Sequence, residues 1–155
     1  MKKRMMLLAL ASLFAAVAVC FAAEDVNMGT WKLNLAKSKI SAGFPRNTTV
    51  VYEATGDSVK VTVDGTDAGG KPAHNEWTGK FDGKDYPLTG DPTADTRAYK
   101  RINAHTLVLT NKKGGKVTTT GRIVVSADGK TRTITTSATD ANGMKISSTA
   151  VYDKQ

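Results

Sequence analysis

Cysteine is almost absent from this chain: 155 residues contain one, Cys20, and it lies in an apolar leader. Everything after residue 20 therefore has no disulfide and no thiol chemistry, and must hold itself together by packing. Histidine is nearly as scarce. His74 and His105 are far apart in sequence, whereas a zinc site needs three or four converging ligands. No Gly-x-Ser-x-Gly elbow is present, so a nucleophile held against an oriented base has nothing to be built from. The acidic stretches Asp64-Gly65-Thr66-Asp67 and Asp91-Pro92-Thr93-Ala94-Asp95 lack the ordered oxygen series of a calcium loop. They read as turns braced by Asp side chains. The chain is accordingly expected to be no enzyme, with no cofactor and no metal.

What is present begins with an export signal. Met1-Lys2-Lys3-Arg4 is cationic, Met5 to about Phe21 is uncharged and apolar, and Ala22-Ala23 are small. That is the three-part build of a secretory signal peptide, and the run is on the short side for a bilayer span. Cleavage after Ala22 leaves small residues, Cys20 and Ala22, at the recognised places. Lipidation of Cys20 is disfavoured because Val19 precedes it. The expected organisation is a signal over 1–22 and one domain over 23–155, periplasmic or secreted, with no integral membrane segment after cleavage.

The formal charge is +8, and loss of Lys2, Lys3 and Arg4 leaves nineteen basic against fourteen acidic residues, or +5. These bases are scattered around turns such as Lys113-Gly114-Gly115, where charge keeps strand edges from pairing with other chains. No basic stripe interleaved with aromatics exists, so nucleic acid is not an expected partner. A monomer is expected.

The rest of the chain is a series of short alternating runs. Val59, Val61 and Val63 alternate with Lys60 and Thr62; Ile123 and Val125 with Arg122 and Val124; Asn75 and Trp77 with Glu76 and Thr78. Turn dipeptides separate them, Asp128-Gly129 and Asn142-Gly143 among them, and such alternation punctuated by Gly and Asp predicts strands and hairpins. Nine strands are expected, with a helical turn or two near Ala36 to Ser41 and an irregular stretch from Asp82 to Asp95. An up-and-down barrel of about eight or nine strands removes the open edges most simply. A β-sandwich is the alternative, though it normally needs crossing connections.

A shift of 73 positions lays Ala54, Gly56, Thr62, Thr66-Asp67-Ala68 and Gly70 on Ala127, Gly129, Thr135, Thr139-Asp140-Ala141 and Gly143. Duplication with approximate two-fold symmetry is one reading, and recurring hairpin chemistry is the other. Duplication would place Trp77 and Ala150 at equivalent sites.

Gly29-Thr30-Trp31-Lys32-Leu33 resembles the Gly-x-Trp start of the lipocalins and the related fatty-acid-binding proteins. The run from Phe81 to Pro87 and on through Tyr99 to Ile102 is similar to exported bacterial proteins known only as lipocalin-like. The long lid loop and C-terminal helix of typical lipocalins are missing, as is the helix pair of the fatty-acid-binding proteins. The resemblance implies a tryptophan, Trp31, that closes the barrel base under a basic residue from a late strand. Arg122 and Arg132 are the candidates, with Arg122 favoured because it lies on the longest late strand.

Two properties bear on a ligand. The inward sets carry small or hydroxyl residues, Thr119 and Gly121 beside Ile123, Ser148 and Ala150 beside Ile146. A light lining leaves room for a molecule, or marks a sheet face open to solvent. The leading expectation is an exported protein binding a small hydrophobic or amphipathic ligand, with Trp31, Tyr52, Trp77, Tyr86, Tyr99 and Arg122 as ligand-binding residues. The alternative is an envelope-associated domain that binds protein or polysaccharide through its outer surface. An isomerase or cyclase inside the barrel ranks third.

Overall fold

The computed structural model describes residues 24–140 and 142–155. The expected signal peptide, its expected cleavage point after Ala22, Cys20 and Ala141 lie outside the described residues. Ten strands follow one another: β1 (Gly29–Leu33), β2 (Arg46–Thr55), β3 (Ser58–Thr66), β4 (Pro72–Gly79), β5 (Tyr86–Thr89), β6 (Thr96–Asn103), β7 (Thr106–Lys113), β8 (Lys116–Val125), β9 (Thr131–Thr139) and β10 (Lys145–Lys154). Each pairs antiparallel with its neighbour in sequence, and β1 pairs with β10 to close the ring. The result is an all-β up-and-down barrel, not a sandwich. Closure supplies every strand with a partner on both sides, which no open arrangement of these hairpins could do.

The tenth strand is the short β5, inside the stretch expected to be irregular. Pro87 has no N–H to give to a ladder, and β5 makes only two register pairs with each neighbour, Glu76–Thr89 and Trp77–Leu88 on one side, Tyr86–Arg97 and Pro87–Thr96 on the other. The only helical segment among the described residues is one 3-10 turn, Leu35–Lys37. No described helix is long and apolar enough to cross a membrane. The outward faces carry Glu53, Lys100, Thr120, Arg122 and Ser137, all exposed, the reverse of the apolar-out pattern of barrels that sit in a bilayer.

Alternation puts Trp31, Val50, Tyr52, Val61, Val63, Trp77, Tyr99, Leu107, Leu109, Ile123, Val125 and Tyr152 inside as one continuous core. The N-terminal segment closes one end of the barrel against this core. There Trp31 Nε1 donates to Asn27 O at 3.0 Å, and Lys154 Nζ donates to Val26 O at 3.3 Å. Asp25 pairs with Arg101 from β6, and Asn27 Nδ2 reaches Ala104 O in the β6–β7 turn at 3.4 Å. Residues 25–28 are thereby tied across the base from β10 to β6.

The 73-residue repeat is a repeat of one hairpin. Val61 pairs with Trp77 between β3 and β4, and Ile134 pairs with Ala150 between β9 and β10, the same register displaced by 73. Their turns match bond for bond: Asp67 Oδ1 accepts from Gly69 N and Lys71 N, both 2.9 Å, and Asp140 Oδ1 from Asn142 N and Met144 N, both 2.9 Å. Gly70 and Gly143 close them at φ 83° and 80°, a conformation that strongly favours glycine. The match stops there. Tyr52 pairs with Val61 but Val125 with Arg132, and the two hairpins stand six strands apart on a ring of ten, where a two-fold axis needs five.

Candidate ligand site

Above the packed base, the barrel holds a cavity of about 460 Å³. Of the light lining expected, Thr119 and Ile123 from β8 and Ile146, Ser148 and Ala150 from β10 form its wall and Gly121 does not; Ile134 and Thr136 from β9 join them. The Thr-rich faces therefore look inward on empty space. Four connections rim the open end. They are the β1–β2 loop with Ile40, Phe44 and Pro45, the two matched Asp67 and Asp140 turns, and the β5–β6 loop from Gly90 to Thr93.

The five aromatic residues among the expected binding set divide into three groups. Tyr52 and Tyr99 line the cavity and their hydroxyls are 3.4 Å apart. Trp31 and Trp77 lie beneath it as core, 0% and 1% exposed. Trp77 Nε1 donates to Arg97 O at 2.8 Å, so its one polar atom is already satisfied. Tyr86 sits outside the cavity wall, its ring 5.8 Å from that of Trp77 and edge-on to it, with its hydroxyl donating to Asp82 at 2.9 Å. Phe81, absent from the expected set, completes the cluster by stacking on Trp77 at 6.4 Å and 9°.

Arg122 is not the residue that covers Trp31. It is exposed, because Ile123 beside it faces in and successive side chains of a strand point to opposite faces. Arg132 takes the role, its guanidinium carbon 4.9 Å from the ring centroids of Trp31, Tyr52 and Tyr152 alike. Lys154 Nζ adds a second cation 5.3 Å from the Trp31 ring.

Sequence reasoning missed most polar residues of the wall: Arg97 on β6, Asn111 on β7, Asn75 on β4 and Tyr152 on β10; Arg132 on β9, named from the sequence only as a candidate partner of Trp31, lines it too. Arg97 Nε donates to Asn111 Oδ1 at 2.8 Å, and its Nη1 reaches Asn75 Oδ1 at 3.4 Å. Burial pushes the Tyr52 phenol far above its ordinary range, and Tyr99 adds to the effect, against the opposing pull of Arg132 and Arg97. Burial likewise pushes Tyr152 up to about 12, although Arg132 counters it. Both hydroxyls are neutral donors at any physiological pH. Tyr152 gives its proton to Asn47 O at 2.9 Å.

No group of three or more His, Cys, Asp or Glu gathers among the described residues. His74 is exposed on β4, 2.6 Å from Asp64, and His105 lies in the β6–β7 turn with Nδ1 3.2 Å from Val125 O. Fold and cavity together define the class: a closed ten-stranded antiparallel meander barrel with a hollow upper half. The chain matches no protein-family model, and no curated protein matches it either.

Proposed function

We propose that the protein is an exported, non-catalytic carrier that binds a small hydrophobic or amphipathic molecule inside its barrel. The observation that carries this reading is the cavity. About 460 Å³ falls within the range of small-molecule pockets, roughly 300–1,000 Å³, and a mix of aliphatic walls with a few polar groups is the usual chemistry of such sites. The leader Met1 to Ala22 supports export to the periplasm or beyond. Its resemblance to lipocalin-type openings, Gly29-Thr30-Trp31, agrees with a carrier and assigns no ligand.

The test is native mass spectrometry of the protein purified from the exported fraction, alongside titration with the neutral fluorophore N-phenyl-1-naphthylamine. A co-purifying small molecule, or a fluorescence rise that saturates at one site per chain, is expected. A clean protein mass together with no saturable rise would overturn the carrier reading.

A further inference from the structure

Successive connections of a meander barrel alternate between its two ends, so β1–β2, β3–β4, β5–β6, β7–β8 and β9–β10 all lie at the open one. Six cations stand in or beside these connections: Lys39, Arg46, Lys71, Lys113, Lys116 and Lys145, all exposed. None belongs to an ion pair among the described residues. Lys60 on the wall, by contrast, pairs with Glu76, and Lys80 and Arg101 toward the closed end pair with Asp57 and Asp25. The carboxylates of the open-end connections are Asp67, Asp91, Asp95 and Asp140. Each turns an oxygen back onto a backbone N–H of the same end. Apolar side chains sit next to the cations. Val117 and Met144, 57% and 60% exposed, are the most exposed large hydrophobic residues among those described. Val117 follows Lys116, Met144 precedes Lys145, and Phe44-Pro45 precedes Arg46, with Pro45 exposed and Phe44 half-buried. Three such doublets on one rim are not the scatter of single apolar residues that any surface shows.

We propose that the protein docks by this end on the surface of an anionic phospholipid bilayer, with Met144, Val117 and Phe44 at the level of the headgroups and the cations against lipid phosphates. The inference goes beyond the carrier reading and does not depend on it. Attachment at a membrane surface combines apolar burial with attraction to anionic lipid, and each Lys or Arg near that surface adds to the attraction. The two needs together select the partner. A soluble polyanion would pair the cations and leave Val117 and Met144 in water. An apolar protein patch would cover those two and leave the cations without counter-charge. A bilayer surface, with phosphate above hydrocarbon, meets both. The connections that carry the doublets, β7–β8, β9–β10 and β1–β2, follow one another around the ring. The contact is therefore one continuous arc of the rim, and it brings the cavity mouth to the membrane.

The test is co-sedimentation of the exported protein with vesicles of phosphatidylcholine alone and of phosphatidylcholine and phosphatidylglycerol in equal parts, at low and at high salt. Binding to the anionic vesicles is expected to be about tenfold or more tighter than to the neutral ones, and to fall as salt screens the cations. Lys116→Gln and Lys145→Gln should each weaken it about fivefold and leave naphthylamine binding, measured without vesicles, unchanged. Met144→Trp reports the position: its added emission should shift to the blue on anionic vesicles. Ile102→Trp, at an exposed site toward the closed end, should not shift. No binding to anionic vesicles at low salt, or equal binding to both kinds, overturns the inference. Capture by immobilised heparin without vesicle binding overturns it too, and would mark a surface for soluble polyanions. Binding undiminished in both lysine variants, or a blue shift at Ile102→Trp with none at Met144→Trp, overturns the placement at the open end. The vesicle series on the unaltered protein decides the question even where a variant fails to fold. Failure to dock leaves the carrier reading standing, and docking without saturable naphthylamine binding overturns the carrier reading alone.

Discussion

The guanidinium carbon of Arg132 lies 4.9 Å from the centroid of the Trp31 ring, joining β9 to β1 across the intervening strand β10. The same group is equally close to Tyr52 and Tyr152, so one side chain fills the centre of the barrel base. Its stem and its charge contribute with opposite sign. Arg132→Ala removes the packing as well as the charge and should cost about 2–4 kcal/mol, like other large-to-small core changes. Arg132→Met keeps most of the volume and removes two buried nitrogens that have no hydrogen-bond partner, so it should lie within about 1 kcal/mol of the parent. Urea melts of the two variants check this, and equal losses would show that the charge, not the volume, holds the base.

The fold was legible because its two signals agree: alternation marked the strands, and Gly or Asp turns marked short links between sequence neighbours. β5 was not legible, since Pro87 suppresses the strand pattern and the pairing there is only two registers deep on each side. The choice of Arg122 over Arg132 rested on strand length, whereas parity decides it. Ile123 and Ile134 face in, so Arg122 must face out and Arg132, two residues from Ile134, must face in. The same parity from Tyr99 and Leu109 places Arg97 and Asn111 on the cavity wall. Trp77 and Tyr86 misled for another reason. Aromatic residues look alike in sequence whether they pack a base or line a cavity, and only the closing of the ring separates the two levels.

Gly79 is the second place where packing is close. A Cβ there would stand 2.5 Å from Tyr86 Cγ and 2.6 Å from Trp77 Cζ2, so the Tyr86 ring lies directly on the backbone of β4. Gly79→Ala should therefore destabilise by about 1–3 kcal/mol, the scale of an overpacked core. Adding Tyr86→Ala should cost less in that background than in the parent, because the clash goes with the ring. A double-mutant cycle by thermal melts reads the coupling directly. Additive losses would mean that the two side chains do not compete for that space.

The matched turns make a paired prediction. Asp67 and Asp140 each hold two backbone N–H groups through one carboxylate oxygen. Replacing either by Ala should cost about 1 kcal/mol or somewhat more. Both losses should be alike and should add, since the turns belong to hairpins on different parts of the ring. A loss at one site and none at the other would break the equivalence of the repeat.

His74 offers a pH readout on the outer surface. Its hydrogen bond to Asp64, aided by the charges of Asp64 and Glu76, raises its pKa above 6.5 despite some desolvation. A raised folded value means that this interaction is fully present below about pH 6.5 and is lost as pH rises through the folded midpoint. An NMR titration of the imidazole should give a midpoint above 6.5, and Asp64→Asn should bring it down. A midpoint that ignores Asp64→Asn would show the pair to be open in solution.

Ala150 decides whether the interior is where a ligand goes. Its side chain lines the cavity next to Ile134, its register partner on β9. A phenyl ring placed there projects into space that the protein leaves empty, so Ala150→Phe should change stability by no more than about 1 kcal/mol, unlike the same exchange in a filled core. It should weaken N-phenyl-1-naphthylamine binding about tenfold or more, because an occupied neck excludes the probe sterically. Thr135→Phe is the control, its side chain exposed on the opposite face of β9, and it should leave binding unchanged. Equal affinity in parent and Ala150→Phe, with both melting alike, would move binding from the cavity to the outer surface of the barrel.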